Sequence, residues 1–207
     1  MKIGRKDIVW NYIATFMRIA SGIIILPLVL RMLPSQEVAI WGLFLTISSL
    51  TTLLDFGFSN SFSRNIAYVF SGVNELKPKG YASIDSQNNQ INYSLLKSVI
   101  KAMQSYYGIM ALLFLTIFAI ASPLYMDSVL NKYTGDKEEI WVAWFIYGAL
   151  VAYEFYTCYY NSLMSGRGLV KRNMQIIILS QSLRIIVSVI CLLLDMGIIS
   201  LVIGMFV

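Results

Sequence analysis

Arg18 and Arg184 stand in the middle of two stretches, residues 8–30 and 173–194, that are otherwise strongly apolar. Even on the mildest scale an arginine at the bilayer centre costs about 2.5–3.5 kcal/mol, so it is expected to face a protein interior or a wet cavity. In the first stretch Asn11, Thr15, Arg18 and Gly22 follow spacings of four, three and four and share one helical face. Gln181 and Ser188 flank Arg184 in the same way. A third stretch, 140–163, carries Glu154 in a polar stripe with Tyr147, Cys158, Asn161 and Ser165. At 1.5 Å per residue the three charges fall at comparable depths, with Arg18 about 16 Å in. Two chemistries fit. One is a cationic cavity between helices that binds an anion, with Glu154 shaping the field and Asn11 and Gln181 adding hydrogen bonds. The other is an ion pair between Glu154 and one arginine that closes a helix contact. One glutamate cannot neutralise two arginines, and this favours the cavity.

A fourth polar run lies on one side of the stretch 38–60: Ser48, Thr51, Thr52, Asp55 and Ser59. The segment Asp55-Phe56-Gly57, with Arg64 one or two turns on, reads either as a gate or as a helix that becomes polar on leaving the membrane. In the gate reading Gly57 permits close helix approach. Tyr153, Tyr156, Tyr159 and Tyr160 suit stacking on sugar rings, but such residues more often form an interfacial aromatic belt. There is no histidine, and Cys158 and Cys191 have no spaced Cys or His partner, so no metal site and no cofactor is expected. No constellation supports covalent catalysis. The excess of 16 Lys and Arg over 11 Asp and Glu flanks the apolar stretches, which argues against nucleic-acid binding.

The elements that position these residues are transmembrane helices. Of the 207 residues 57% are hydrophobic and 13% charged, and the mean hydropathy is +0.68. A soluble domain carries about 25% charged residues. The apolar runs are about twenty residues long, enough to cross ~30 Å of hydrocarbon. The expected fold is all-α, a polytopic helical membrane bundle forming one transmembrane domain over 1–207. Its spans are expected at 8–30, 38–60 with the helix continuing to 70, 103–124, 140–163 and 173–194, with a truncated sixth from 198. The polar segment 71–93 is read as a cytoplasmic loop. The N-terminal segment, its 71–101 counterpart and the turn near 167 hold ten lysines and arginines. The other side holds Arg31, Lys132 and Lys137. The positive-inside rule therefore predicts a cytoplasmic N-terminus. The sixth span stops about halfway across, so the chain reads as part of something longer, or as a shortened product.

Several segments together resemble a family. They are the first span with its buried arginine, Leu33-Pro34-Ser35-Gln36-Glu37-Val38-Ala39-Ile40-Trp41-Gly42-Leu43, then Leu54-Asp55-Phe56-Gly57-Phe58-Ser59-Asn60-Ser61-Phe62-Ser63-Arg64, the turn Gly166-Arg167-Gly168, and Gly197-Ile198. Over essentially the whole chain they are similar to the N-terminal part of Wzx-type polysaccharide (O-antigen) flippases. These belong to the multidrug/oligosaccharidyl-lipid/polysaccharide exporter superfamily. The resemblance implies alternating-access export of a polyprenyl-diphosphate-linked oligosaccharide for O-antigen, capsule or lipopolysaccharide biosynthesis. The setting it implies is the bacterial cytoplasmic (inner) membrane, with lipid and a C-terminal half of the same transporter as partners. It marks Arg18, Asp55, Arg64 and Arg184 as cavity or gate residues. The rivals are a multidrug or small-molecule antiporter of the same superfamily, a membrane glycosyltransferase or polymerase, and a non-transporting remnant. The buried charges are mainly basic, which counts against a cationic drug. The longest polar loop carries only Glu75 and Asp85, which counts against a transferase.

Overall fold

The computed structural model describes residues 5–73, 75–76 and 91–206, so most of the polar segment read at 71–93 lies outside the described residues. The described chain is all-α. Its helices are α1 (Arg5–Met32), α2 (Ser35–Leu54), α3 (Phe58–Phe70), α4 (Tyr93–Leu130), α5 (Lys137–Thr157), α6 (Tyr159–Gly166), α7 (Val170–Leu193) and α8 (Ile199–Phe206). Five segments are long and apolar enough to cross a membrane: Asp7–Met32, Ser35–Leu54, Tyr93–Leu130, Lys137–Gly166 and Val170–Leu193. The chain is a multi-pass helical membrane protein. Large apolar side chains such as Ile8, Tyr12, Phe16, Ile23 and Leu30 are exposed on α1, as a lipid-facing helix requires.

Two helices expected to be continuous are interrupted. The helix expected to run from 38 to 70 stops at Leu54, because Phe56 and Gly57 take left-handed backbone angles, φ 47° and 76°. Glycine adopts that region without a Cβ penalty, whereas phenylalanine is strained there. The hydroxyls of Thr46, Ser49, Thr51 and Thr52 bond back to carbonyls three or four residues earlier, which weakens the last turns of α2. The helix expected over 140–163 is divided at Cys158. There the ladder tightens to three-residue bonds, Cys158 N–H to the Phe155 carbonyl and Asn161 N–H to the Cys158 carbonyl. Thr157 Oγ1 donates to the carbonyls of both Tyr153 and Glu154 just before the break.

By contrast α4 is longer than its expected span. Asn92 caps its start by accepting from the Leu95 N–H at 3.0 Å, and the helix runs through Pro123 to Leu130. At 1.5 Å per residue it is about 57 Å long, well beyond the hydrocarbon thickness.

The apolar interior falls into two clusters along α4. Ala111 and the residues before it, Val99, Met103 and Tyr107, pack with Ile66 and Val69 of α3, Phe155 and Tyr159. Phe114 and the residues after it pack with α2, α5, α8, Ile25 and Val29 of α1, and Leu33 just beyond it. In the second cluster the Tyr147 hydroxyl donates to the Phe44 carbonyl and shares a 2.6 Å hydrogen bond with Ser48 Oγ. Trp144 Nε1 donates to Ser122 Oγ at 2.8 Å, so its indole N–H is satisfied within the core.

Three turns meet at the Tyr133 end of the bundle. The Tyr133 hydroxyl donates to Glu37 Oε1 at 3.3 Å, and Thr134 donates to Gln36 Oε1 through both its backbone N–H and its hydroxyl. Burial pushes the Tyr133 phenol up to about 12, with the Glu37 carboxylate adding to the effect. Gly197 takes the left-handed φ of 56° that glycine adopts freely, close to the Glu139 carboxylate.

Candidate polar recess

The two helix interruptions open onto one recess of about 440 Å³. The end of α2 and the start of α3 contribute Ser48, Thr51, Thr52, Asp55 and Ser59. From α5 and α6 come Glu154, Phe155, Cys158 and Asn161, and from the far wall Arg184 of α7 and Met205 of α8. Apart from Leu45, the residues of this segment all belong to the polar run identified in the sequence. Glu154, Cys158 and Asn161 come from the polar stripe of the fourth span. Where a helix is interrupted, freed carbonyls and N–H groups are tolerated inside a membrane only if protein or a wet cavity receives them.

Asp55 is held from two sides. Its Oδ1 accepts from the Tyr107 hydroxyl of α4 at 2.7 Å, and its Oδ2 accepts from the Ser59 N–H at 3.4 Å. A carboxylate at the N-terminus of α3 also meets the positive end of that helix dipole. Ser59 Oγ in turn lies 3.0 Å from Ser162 Oγ of α6, and Ser63 Oγ donates to the Ser162 carbonyl at 3.1 Å.

Arg184 lies about 21 Å along α7 from Val170, near the middle of the helix. It is half-buried, and it lines a second recess of about 480 Å³ together with Gln181, Glu154, Tyr153, Thr157 and Ser180. Among the described residues no ion pair within 4.0 Å joins Glu154 to Arg184. Arg184, Glu154 and Gln181 thus line one recess. Arg18 and Asn11 do not: both are exposed on α1 and neither lines these two recesses. Helix α1 packs along α7, but its Arg18 face does not turn into the recess.

Two expectations change as a result. The first recess carries two carboxylates, Asp55 and Glu154, against one guanidinium, so it is not the doubly cationic cavity read from the sequence. Gly57 does not mediate a close helix approach, since a Cβ there would have nothing within 4 Å. Its contribution is the left-handed turn. The close approach lies at Gly166, where a Cβ would come within 2.5 Å of Ile66 and 2.6 Å of the Ser63 carbonyl oxygen. Arg64 is exposed on α3, away from the recess lining.

Sequence reasoning did not identify Tyr107 as the partner of Asp55, nor the interruption at Cys158. The hydroxyl of Thr157 is the local signal for the latter. Tyr159 is buried and stacks on Tyr160 with ring centroids 4.2 Å apart, while Tyr153 and Tyr160 stay exposed. Comparison with family models, with curated proteins and with solved structures finds no match for this chain.

Proposed function

We propose that this chain is a helical bundle of a transporter that moves a polyprenyl-diphosphate-linked oligosaccharide across the bacterial cytoplasmic membrane. Cell-surface polysaccharide such as O-antigen or capsule is the destination of that cargo. The observation that carries the reading is the Arg184-bearing polar recess, set among membrane-spanning helices where two of them are interrupted. Interrupted helices around a mid-membrane polar site suit substrate binding in alternating-access transporters. Arg184 would take the diphosphate through bidentate, charge-assisted hydrogen bonds, and Gln181, Asn161 and the α2 hydroxyls would take sugar or phosphate oxygens. The lipid tail stays in the bilayer, and no covalent step is required. The N-terminus is assigned to the cytoplasm on the lysine and arginine distribution.

The test is complementation of a strain lacking its own flippase, with surface glycan and protein abundance measured in parallel. Arg184→Ala is expected to lower export tenfold or more at normal abundance. Normal export from that variant would remove the reading.

One observation favours a second reading. With Asp55 and Glu154 facing a single Arg184, the recess also suits a cationic small molecule carried by a multidrug-type antiporter. Proteoliposomes separate the two. Flippase activity scrambles a labelled polyprenyl-diphosphate glycan, whereas the antiporter accumulates a fluorescent organic cation.

A further inference from the structure

Helices α3 and α6 are bound to each other more closely than to the helices they continue. The Ser59–Ser162 and Ser63–Ser162 hydrogen bonds join them, and Gly166 lets the backbone of α6 lie against Ile66 and the Ser63 carbonyl. Each is separated from its parent helix by an interruption, at Asp55–Gly57 and at Cys158. Both interruptions border the same recess. The apolar clusters divide there as well. Ile66, Val69 and Tyr159 of the α3–α6 pair pack in one cluster against α4 and Phe155, and the body of α2 and the rest of buried α5 belong to the other. Short stretches of tightened helix and left-handed residues absorb large changes in backbone angle, and they recur at hinges.

We infer that α3 and α6 move as one rigid flap. The flap swings about the paired hinges at Asp55–Gly57 and Cys158 and controls access to the recess from the Arg167 end. The Tyr107→Asp55 hydrogen bond is its latch. Tyr107 sits on α4, which runs unbroken past both clusters and serves as the fixed post. Phe58, the first residue of α3, rests on Tyr106 with ring centroids 4.5 Å apart and defines the closed position. At the far end of α6 the turn through Gly168, at φ 80°, gives the tether to α7 its freedom. The flap does not depend on which cargo the recess takes. Its test reads no transport, so its failure and that of the proposed function are separable.

The experiment uses the full chain in lipid nanodiscs, with Cys158→Ala and Cys191→Ser to clear native thiols. Spin labels at Gly42→Cys and Arg64→Cys span the α2–α3 hinge. Gly42 has open space for the substitution and Arg64 is exposed. Labels at Arg64→Cys and Asn161→Cys lie within the flap. Removing the latch with Tyr107→Phe is expected to move the hinge-spanning distance toward its open population by roughly tenfold to a hundredfold, the worth of one hydrogen bond to a carboxylate. The within-flap distance should stay the same. An unchanged hinge-spanning distance, or a within-flap distance that changes with it, overturns the proposal. Hydrogen exchange on the wild-type chain supplies an independent reading that needs no variant. The amides that bond across the hinges, Phe58 and Ser59 to Asp55 and Asn161 to Cys158, should open as one unit with a common protection, and unequal protection of the two hinges overturns it.

Discussion

Glu154 of α5 and Arg184 of α7 both stand on the wall between two polar recesses and line both, yet no ion pair joins them. Opposite charges that share a cavity without closing on each other are available to a ligand. This separates a binding role from a structural pair in a measurable way. If the pair were structural, loss of Arg184 would leave the Glu154 carboxylate without its partner, and Glu154→Gln would rescue it. The geometry predicts otherwise: Arg184→Ala lowers export by tenfold or more, roughly the value of a charge-assisted contact. Adding Glu154→Gln should leave that loss in place. Protein abundance, followed by immunoblot, should be equal in the single and double variants.

Arg18 is exposed on α1 and lies outside both recesses. Arg18→Ala is therefore expected to reduce export far less than Arg184→Ala. Equal losses in the two variants, at equal abundance, would place both guanidinium groups on the cargo.

The proposed orientation rests on the charge distribution. A cysteine at Lys132, exposed beside the Tyr133 turn, should react with a membrane-impermeant maleimide added to intact cells. A cysteine at Arg167, exposed at the opposite end, should react only after the membrane is opened. The reverse pattern would invert the bundle.

Two glycines should differ in what they cost. Gly57→Ala meets nothing within 4 Å, so its penalty is that of the left-handed backbone alone, about 1 kcal/mol. Gly166→Ala forces a methyl against Ile66 and the Ser63 carbonyl and should cost about 1–3 kcal/mol. Thermal unfolding in one detergent should rank Gly166→Ala below Gly57→Ala. The opposite order would place the tight contact elsewhere.

Tyr133 gives the bundle an alkaline limit. Its phenol is raised from the ordinary 10 to about 12 in the folded chain, so the folded state holds a proton there that the unfolded state releases first. The contribution is intact below pH 10 and is lost as pH rises from 10 toward 12. Melting temperatures measured across that window should fall more steeply for wild type than for Tyr133→Phe. Parallel curves would show that the phenol is not held by burial and Glu37.

The apolar runs made the bundle legible from the sequence, because a helix that must face lipid advertises its length in hydropathy alone. The recess was partly legible for a related reason. Polar residues inside such runs are costly, so Asp55, Glu154 and Arg184 stood out before any contact was known. The role of Gly57 and the position of Arg18 were not legible. A helical wheel shows which residues share a face but not which neighbour that face meets. Similarly, Tyr107 lies in a stretch that reads as ordinary helix, and its partner is 52 residues away in the chain. Cys158 breaks its helix through backbone geometry that its own side chain does not encode.

The pairing of α1 with α7 has a consequence for biogenesis. Helix α1 packs mainly along α7 and only slightly on α2. At about 5–20 residues per second, the roughly 140 residues between Met32 and Val170 take on the order of 7–30 s to synthesise. Throughout that interval α1, with Asn11 and Arg18, is in the membrane without its principal neighbour. It must be sheltered by the insertion machinery or wait in the lipid until α7 is made, so the contact that holds α1 in the bundle is among the last to form.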